Sequence, residues 1–198
     1  MINVNCILKF PNSYTNNGTP TKLVMICHGA GSDINEWKNS VGYNNIVNAF
    51  LSNNYAIFDC NGYSNESYGY NFWGAPKGIQ CYRKAYQYII NNYNVEKDVY
   101  VYGFSMGGLT AMNLVNNGFD NVKCILLSSP VLDLKLAYDS SPHDSIVSGY
   151  GFSTWSYDLY SGNNPYYNIK IIDNVKYYIK QLPPIKIWYG STETNRTN

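Results

Sequence analysis

Tyr102-Gly103-Phe104-Ser105-Met106-Gly107-Gly108 is the stretch that decides the fold. Val99-Tyr100-Val101-Tyr102 ahead of it is β-branched and aromatic, the composition of a strand. Met106 to about Val115 behind it has the apolar spacing of a helix. Gly103-Phe104-Ser105-Met106-Gly107 joins them and fits Gly-x-Ser-x-Gly, a sharp strand-to-helix turn that holds its serine in a strained conformation above a sheet. Gly103 and Gly107 carry no side chain, so strand and helix can pass close together. Ser105 is therefore the candidate nucleophile.

Working outward, the chain alternates strands with helices. Ile2, Val4, Cys6, Leu8 and Phe10 alternate with polar residues and read as a half-buried strand. Leu23-Val24-Met25-Ile26-Cys27 is a continuous apolar run ending at His28-Gly29, the pattern of a strand covered on both faces. Ile46, Val47, Phe50 and Leu51 have helical spacing, and Tyr55-Ala56-Ile57-Phe58-Asp59 is the next strand. Pro76 suits a helix start, and Ile79, Tyr82, Tyr86, Ile89 and Ile90 give that helix its stripe. Cys124-Ile125-Leu126-Leu127 and Ile185-Lys186-Ile187-Trp188-Tyr189 complete the strands, and Ile171, Val175, Tyr178 and Ile179 predict a last helix. From about 132 to 168 no period is sustained, which predicts an irregular excursion over the carboxyl edge of the sheet. The expectation is one α/β domain over 1–198, with right-handed crossovers and a mostly parallel sheet between helices on both faces.

With these residues in place, the chain resembles the α/β-hydrolase superfamily, and within it the serine esterases and prolyl-oligopeptidase-like peptidases. Two further segments carry the resemblance. His28-Gly29-Ala30-Gly31 follows a buried strand as the family's oxyanion loop does, and Ser129-Pro130-Val131-Leu132-Asp133 resembles the segment that leaves the sixth strand. The resemblance implies oxyanion donors in the backbone N–H groups of Met106 and Ala30, with Gly31 the substitute for Ala30. It implies a bracing role for His28, at the start of that loop. The family order of nucleophile, acid, histidine puts the acid after the seventh strand, where Gly190-Ser191-Thr192-Glu193 supplies Glu193. Asp133 is the rival acid.

No histidine follows Glu193 among Thr194-Asn195-Arg196-Thr197-Asn198. Without a base a serine hydroxyl is a weak nucleophile. Three explanations stand. The native chain continues, carrying the histidine and the fold's last strand and helix roughly 20–50 residues beyond Asn198, as the resemblance to the nucleophile–acid–histidine order implies. Alternatively His143 swings in from the excursion, or the scaffold is a catalytically silent module in a larger assembly, such as a surface or phage-particle component. In the first case the 198-residue chain alone is expected to be inactive.

The loop after Asp59 holds Tyr63, Tyr68, Tyr70, Phe72 and Trp73, and Tyr70, Phe72 and Trp73 are the expected substrate-lining wall. The chemistry the resemblance implies is hydrolysis of a carboxylic ester, a small molecule or an acyl group on a glycan, through an acyl-enzyme on Ser105; peptide hydrolysis is the alternative within the same mechanism. No cofactor is called for. Charged residues are 14% of the chain, against about 25% in an average soluble protein. The polar surface is left to Asn and to 21 Tyr, from AT-rich coding or from selection for stacking on carbohydrate. Net charge is +1 without a basic run, which speaks against nucleic acid as a partner. No apolar run approaches the roughly 20 residues that span a bilayer, and the first residues do not have the form of a signal peptide. Five cysteines without a Cys-x-x-Cys pair predict free thiols and folding in a reducing compartment such as the cytoplasm. With only two His, neither near a cysteine cluster, no metal site is expected.

Overall fold

The computed structural model describes residues 4–63, 70–140, 143–151, 154–155, 164–165, 169–172, 175–178 and 181–190, with backbone alone for 37–38, 169–172 and 175–178. Six strands form the central sheet: β1 (Cys6–Lys9), β2 (Thr21–Cys27), β3 (Tyr55–Cys60), β4 (Val95–Phe104), β5 (Val122–Ser128) and β8 (Ile185–Trp188). Their spatial order is β1-β3-β2-β4-β5-β8. β1 pairs antiparallel with β3, and every other pairing is parallel.

Strand β2 shows why the sheet must be covered on both sides. Leu23, Met25 and Cys27 enter one apolar cluster, while Val24 and Ile26 enter another on the opposite face. The first cluster is closed by α3 (Pro76–Asn92) and α4 (Gly107–Asn116), through Ile79, Tyr82, Ile89, Leu109 and Leu114. The second is closed by α2 (Val41–Ser52), through Tyr43 and Val47, with the short α1 (Glu36–Asn39) ahead of it. Burial of such side chains is worth about 1.5–3 kcal/mol each and dominates the stability of the sandwich.

Three expectations are corrected. Among the described residues the first strand spans Cys6–Lys9, short of Val4 and Phe10. The stretch expected to be irregular contains two helices, α5 (Leu134–Ser140) and α6 (His143–Tyr150). Both are too short for a hydrophobic period to stand out. The helix expected around Ile171, Val175 and Tyr178 is instead a hairpin of β6 (Ile169–Ile172) and β7 (Val175–Tyr178). Ile172 pairs with Val175, at the near ends of two β-branched and aromatic runs. That is a hairpin signature, which the i, i+4, i+7 count of apolar residues masks. No helix among the described residues is long and apolar enough to cross a membrane.

Candidate active site

Ser105 stands between the end of β4 and the start of α4 with φ +51. An L-residue adopts that left-handed conformation at a cost of about 1–2 kcal/mol, so something must hold it there. The holding is done by the backbone. Ser105 N donates to Ser128 O at 3.2 Å, and Ser105 O accepts from Gly108 N at 2.9 Å and Val131 N at 2.8 Å. The glycines of the motif are sterically required. A Cβ at Gly107 would lie 1.9 Å from the Cys27 carbonyl oxygen, and one at Gly103 would lie 2.7 Å from the Gly107 oxygen. Gly108 is pressed against Pro130 in the same way, at 2.6 Å. The turn is thus wedged between the carboxyl ends of β2 and β5.

The loop 28–31 runs beside it. A Cβ added at Gly29 would meet Ser105 Cβ at 3.4 Å. Three successive N–H groups in this loop have different fates. Gly29 N donates to the Tyr43 hydroxyl at 3.1 Å, and Gly31 N donates to Asn71 Oδ1 at 2.6 Å. Ala30 N makes no hydrogen bond among the described residues, and neither does Met106 N. Ile34 N donates to Asn61 Oδ1 at 2.8 Å and pins the loop's far end. Burial raises the Tyr43 hydroxyl well above a phenol's ordinary range, so it stays neutral as the acceptor for Gly29. Beneath these groups Tyr82 donates its hydroxyl to the wholly buried Asp59 at 3.0 Å. Tyr43, Asn61 and Asn71 are bracing residues that sequence reading missed. Uncharged residues scattered over three segments carry no motif, and only their convergence on one loop reveals them.

The histidines lie elsewhere. His28 is 1% exposed, its Nδ1 is 2.9 Å from Gly29 O, and its ring meets Phe72 edge-on at 6.0 Å. With Nδ1 as the donor, Nε2 is left a bare, buried acceptor. His143 opens α6 on the exposed side, its ring against Tyr138 at 4.5 Å. Among the described residues no hydrogen bond joins either imidazole to Ser105 Oγ, or engages that oxygen at all.

Asp133 caps α5. Its Oδ1 accepts from Lys135 N at 2.9 Å, Leu136 N at 3.2 Å and Asn164 Nδ2 at 2.8 Å. Asn164 is itself buried and returns a bond to the helix, accepting from Leu134 N at 3.0 Å. Glu193 lies outside the described residues.

Two of the three residues expected to form the aromatic wall are buried. Phe72 and Trp73 are 1% and 6% exposed and belong to the main core. The Phe72 ring fills the space left by Gly62 and Gly78, where a Cβ would meet it at 2.5 Å and 2.0 Å. Trp73 Nε1 donates to Ser145 Oγ on α6 at 2.9 Å, and Tyr150 donates its hydroxyl to Trp73 O at 3.1 Å. These rings anchor the excursion to the sheet, so they bury against protein. Tyr70 alone of the three is half-exposed.

The same architecture is found in solved structures. S-formylglutathione hydrolase from Staphylococcus aureus superposes with a TM-score of 0.65 at 20% identity, covering 95% of this chain and 74% of that one. The fluorophosphonate-binding serine hydrolase F of Staphylococcus aureus gives 0.58 at 18% identity, over 82% of this chain and 64% of that one. A prolyl endopeptidase gives 0.59 at 14% identity, with 98% of this chain lying on 29% of its own length. At these identities the likeness is one of fold. No curated protein matches the chain by sequence. A family model described as serine aminopeptidase, S33, matches residues 18–150, which contain both the 28–31 loop and the Ser105 turn. The chain belongs to that family of serine hydrolases and has its α/β-hydrolase fold.

Proposed function

We propose that the site hydrolyses a carboxylic ester through an acyl-enzyme on Ser105. The observation that carries this reading is a pair of N–H groups, Ala30 and Met106, that make no hydrogen bond among the described residues, flanking a serine held at φ +51 whose hydroxyl likewise makes none among them. A carbonyl carbon attacked by Ser105 Oγ develops an oxyanion, and two fixed donors stabilise it by about 3–4 kcal/mol each. Ala30 is the donor in the loop because Gly29 and Gly31 already spend their N–H groups on Tyr43 and Asn71. Glu193 is the proposed acid, since Asp133 is committed to capping α5. A small-molecule ester, or an acyl group on a glycan presented near Tyr70, is the proposed substrate class. A peptide bond is the alternative for the same machinery.

A second reading, a silent hydrolase-fold module for binding or assembly, is favoured by one observation. Neither His28 nor His143 is hydrogen-bonded to Ser105. A fluorophosphonate separates the two. The longest form that the gene encodes is treated with the reagent, and the adduct is mapped by mass spectrometry. Modification of Ser105, lost in Ser105→Ala, is the expected result. A folded protein that takes no adduct, or takes it only on another serine, refutes the enzymatic reading.

A further inference from the structure

Two of the five cysteines face each other across the outermost strand pair. Cys6 on β1 is directly opposite Cys60 on β3 in the antiparallel register. The bond from Asn61 N to Asn5 O, at 3.0 Å, makes the neighbouring pair the hydrogen-bonded one, so Cys6 and Cys60 occupy a non-hydrogen-bonded position. Opposed residues at such positions have Cα atoms about 4.5 Å apart, inside the range of about 4.4–6.8 Å that a disulfide spans. Their side chains lie on the same face of the strand pair, and Cys6 Sγ donates to Val4 O at 3.9 Å. The two differ in access: Cys6 is exposed, whereas Cys60 is buried. A third thiol, Cys81 on α3, is buried near enough to Cys6 for a charge there to bear on it.

We infer that Cys6 and Cys60 form a cross-strand oxidation site, a dithiol that a peroxide converts to a disulfide stapling β1 onto the sheet.

The chemistry follows from the asymmetry. The neighbouring Cys60 thiol lowers Cys6 and so favours its thiolate, the form that attacks an oxidant, while burial pushes the Cys60 thiol up and keeps it protonated. Cys6 thiolate attacks hydrogen peroxide, forming a sulfenic acid and releasing hydroxide. The Cys60 sulfur then displaces the sulfenic hydroxyl as water, its proton going to the departing oxygen. Two thiols and one peroxide give one disulfide and two waters. The staple closes a long loop, from β1 through β2 and α2 to β3, which is the case where a cross-link most restricts the unfolded chain.

The test is oxidation of the 198-residue protein with hydrogen peroxide, then alkylation of the remaining thiols and peptide mapping without reductant. The expected product lacks two hydrogens and joins the Cys6 and Cys60 peptides, with Cys27, Cys81 and Cys124 still alkylated. Its Tm should rise by about 5–10 °C and return when reductant is added. Cys6→Ser should abolish both changes, and Cys60→Ser should instead leave Cys6 as a sulfenic acid that dimedone traps. A Cys6–Cys81 link, Cys6 carried on to sulfinate beside an alkylatable Cys60, or no reaction at all would each overturn the proposal.

Discussion

Asn71 Oδ1 accepts the Gly31 N–H at 2.6 Å, and this bond ties the loop 28–31 to the segment that buries Phe72 and Trp73. It ties a chain end of β2 to a residue forty positions away and leaves Ala30 N–H, between two engaged donors, without an acceptor among the described residues. Asn71→Ala should therefore speed amide exchange at Gly31 by about fivefold or more and lower stability by about 1 kcal/mol. Asn71→Asp, which keeps the acceptor, should retain most of the protection. Unchanged exchange in Asn71→Ala would show that the loop is held by Tyr43 and Asn61 alone.

The glycines of the site should separate two kinds of cost. Gly107→Ala drives a methyl to within 1.9 Å of the Cys27 carbonyl, backbone against backbone, with nothing flexible to yield. It should cost about 3 kcal/mol or more, enough to leave little folded protein. Gly31→Ala meets nothing within 4 Å but stands at φ +75, so it should cost only the conformational penalty of about 1–2 kcal/mol. Denaturant titration ranks the two, and an equal loss would mean that the β2–α4 contact relaxes freely.

Much of this architecture is legible from local pattern. Buried runs such as Leu23–Cys27, the stripe of α3 and the Gly-x-Ser-x-Gly turn each act over fewer than about twenty residues, so the sequence displays them directly. The bracing of the site is not local: Tyr43, Asn61 and Asn71 come from three segments and meet only in the fold. Phe72 and Trp73 mislead for a related reason. Large rings in a loop signal burial equally well against a ligand or against protein, and in the fold Phe72 packs on Gly62 and Gly78 while Trp73 bonds Ser145. The β6–β7 hairpin was hidden by apolar spacing that fits a helix and a pair of strands alike.

Asp133 and Glu193 should part company under substitution. Asp133→Ala removes the acceptor for two N–H groups of α5 and for Asn164, and should cost about 1–2 kcal/mol; Asp133→Asn, still an acceptor, should cost less. Neither should alter ester hydrolysis beyond the loss of folded protein. Glu193→Gln should leave stability unchanged and cut kcat by orders of magnitude in any form with a working base, because the imidazolium loses its charged partner. The reverse pattern would move the acid to Asp133, beyond the end of β5.

Cys6 should show its environment in the pH dependence of alkylation. The Cys60 thiol beside it holds the thiol of Cys6 below its ordinary value, so the thiolate persists to lower pH than in a free cysteine. Its iodoacetamide rate should fall only below the midpoint of an ordinary thiol. Cys60→Ala removes that thiol and should move that midpoint upward. A midpoint indifferent to Cys60 would mean that the two sulfurs do not interact.

The 198-residue chain should hydrolyse a short-chain nitrophenyl ester no faster than its own Ser105→Ala variant. General-base catalysis needs an acceptor within about 3 Å of the serine hydroxyl, or one water away. His28 cannot turn toward it without giving up the Gly29 carbonyl and its edge contact with Phe72, all inside a fully buried pocket. His143 is packed on Tyr138 on the outer side of α6. Oxyanion donors and binding by themselves leave an acceleration of about a thousandfold or more over water, and this residue is common to both proteins. A rate tenfold above Ser105→Ala would therefore require a base within the chain. If that excess vanished in His143→Ala while His28→Ala only lost stability, the α6 histidine would be the base, and the excursion would have to close over Ser105 during turnover.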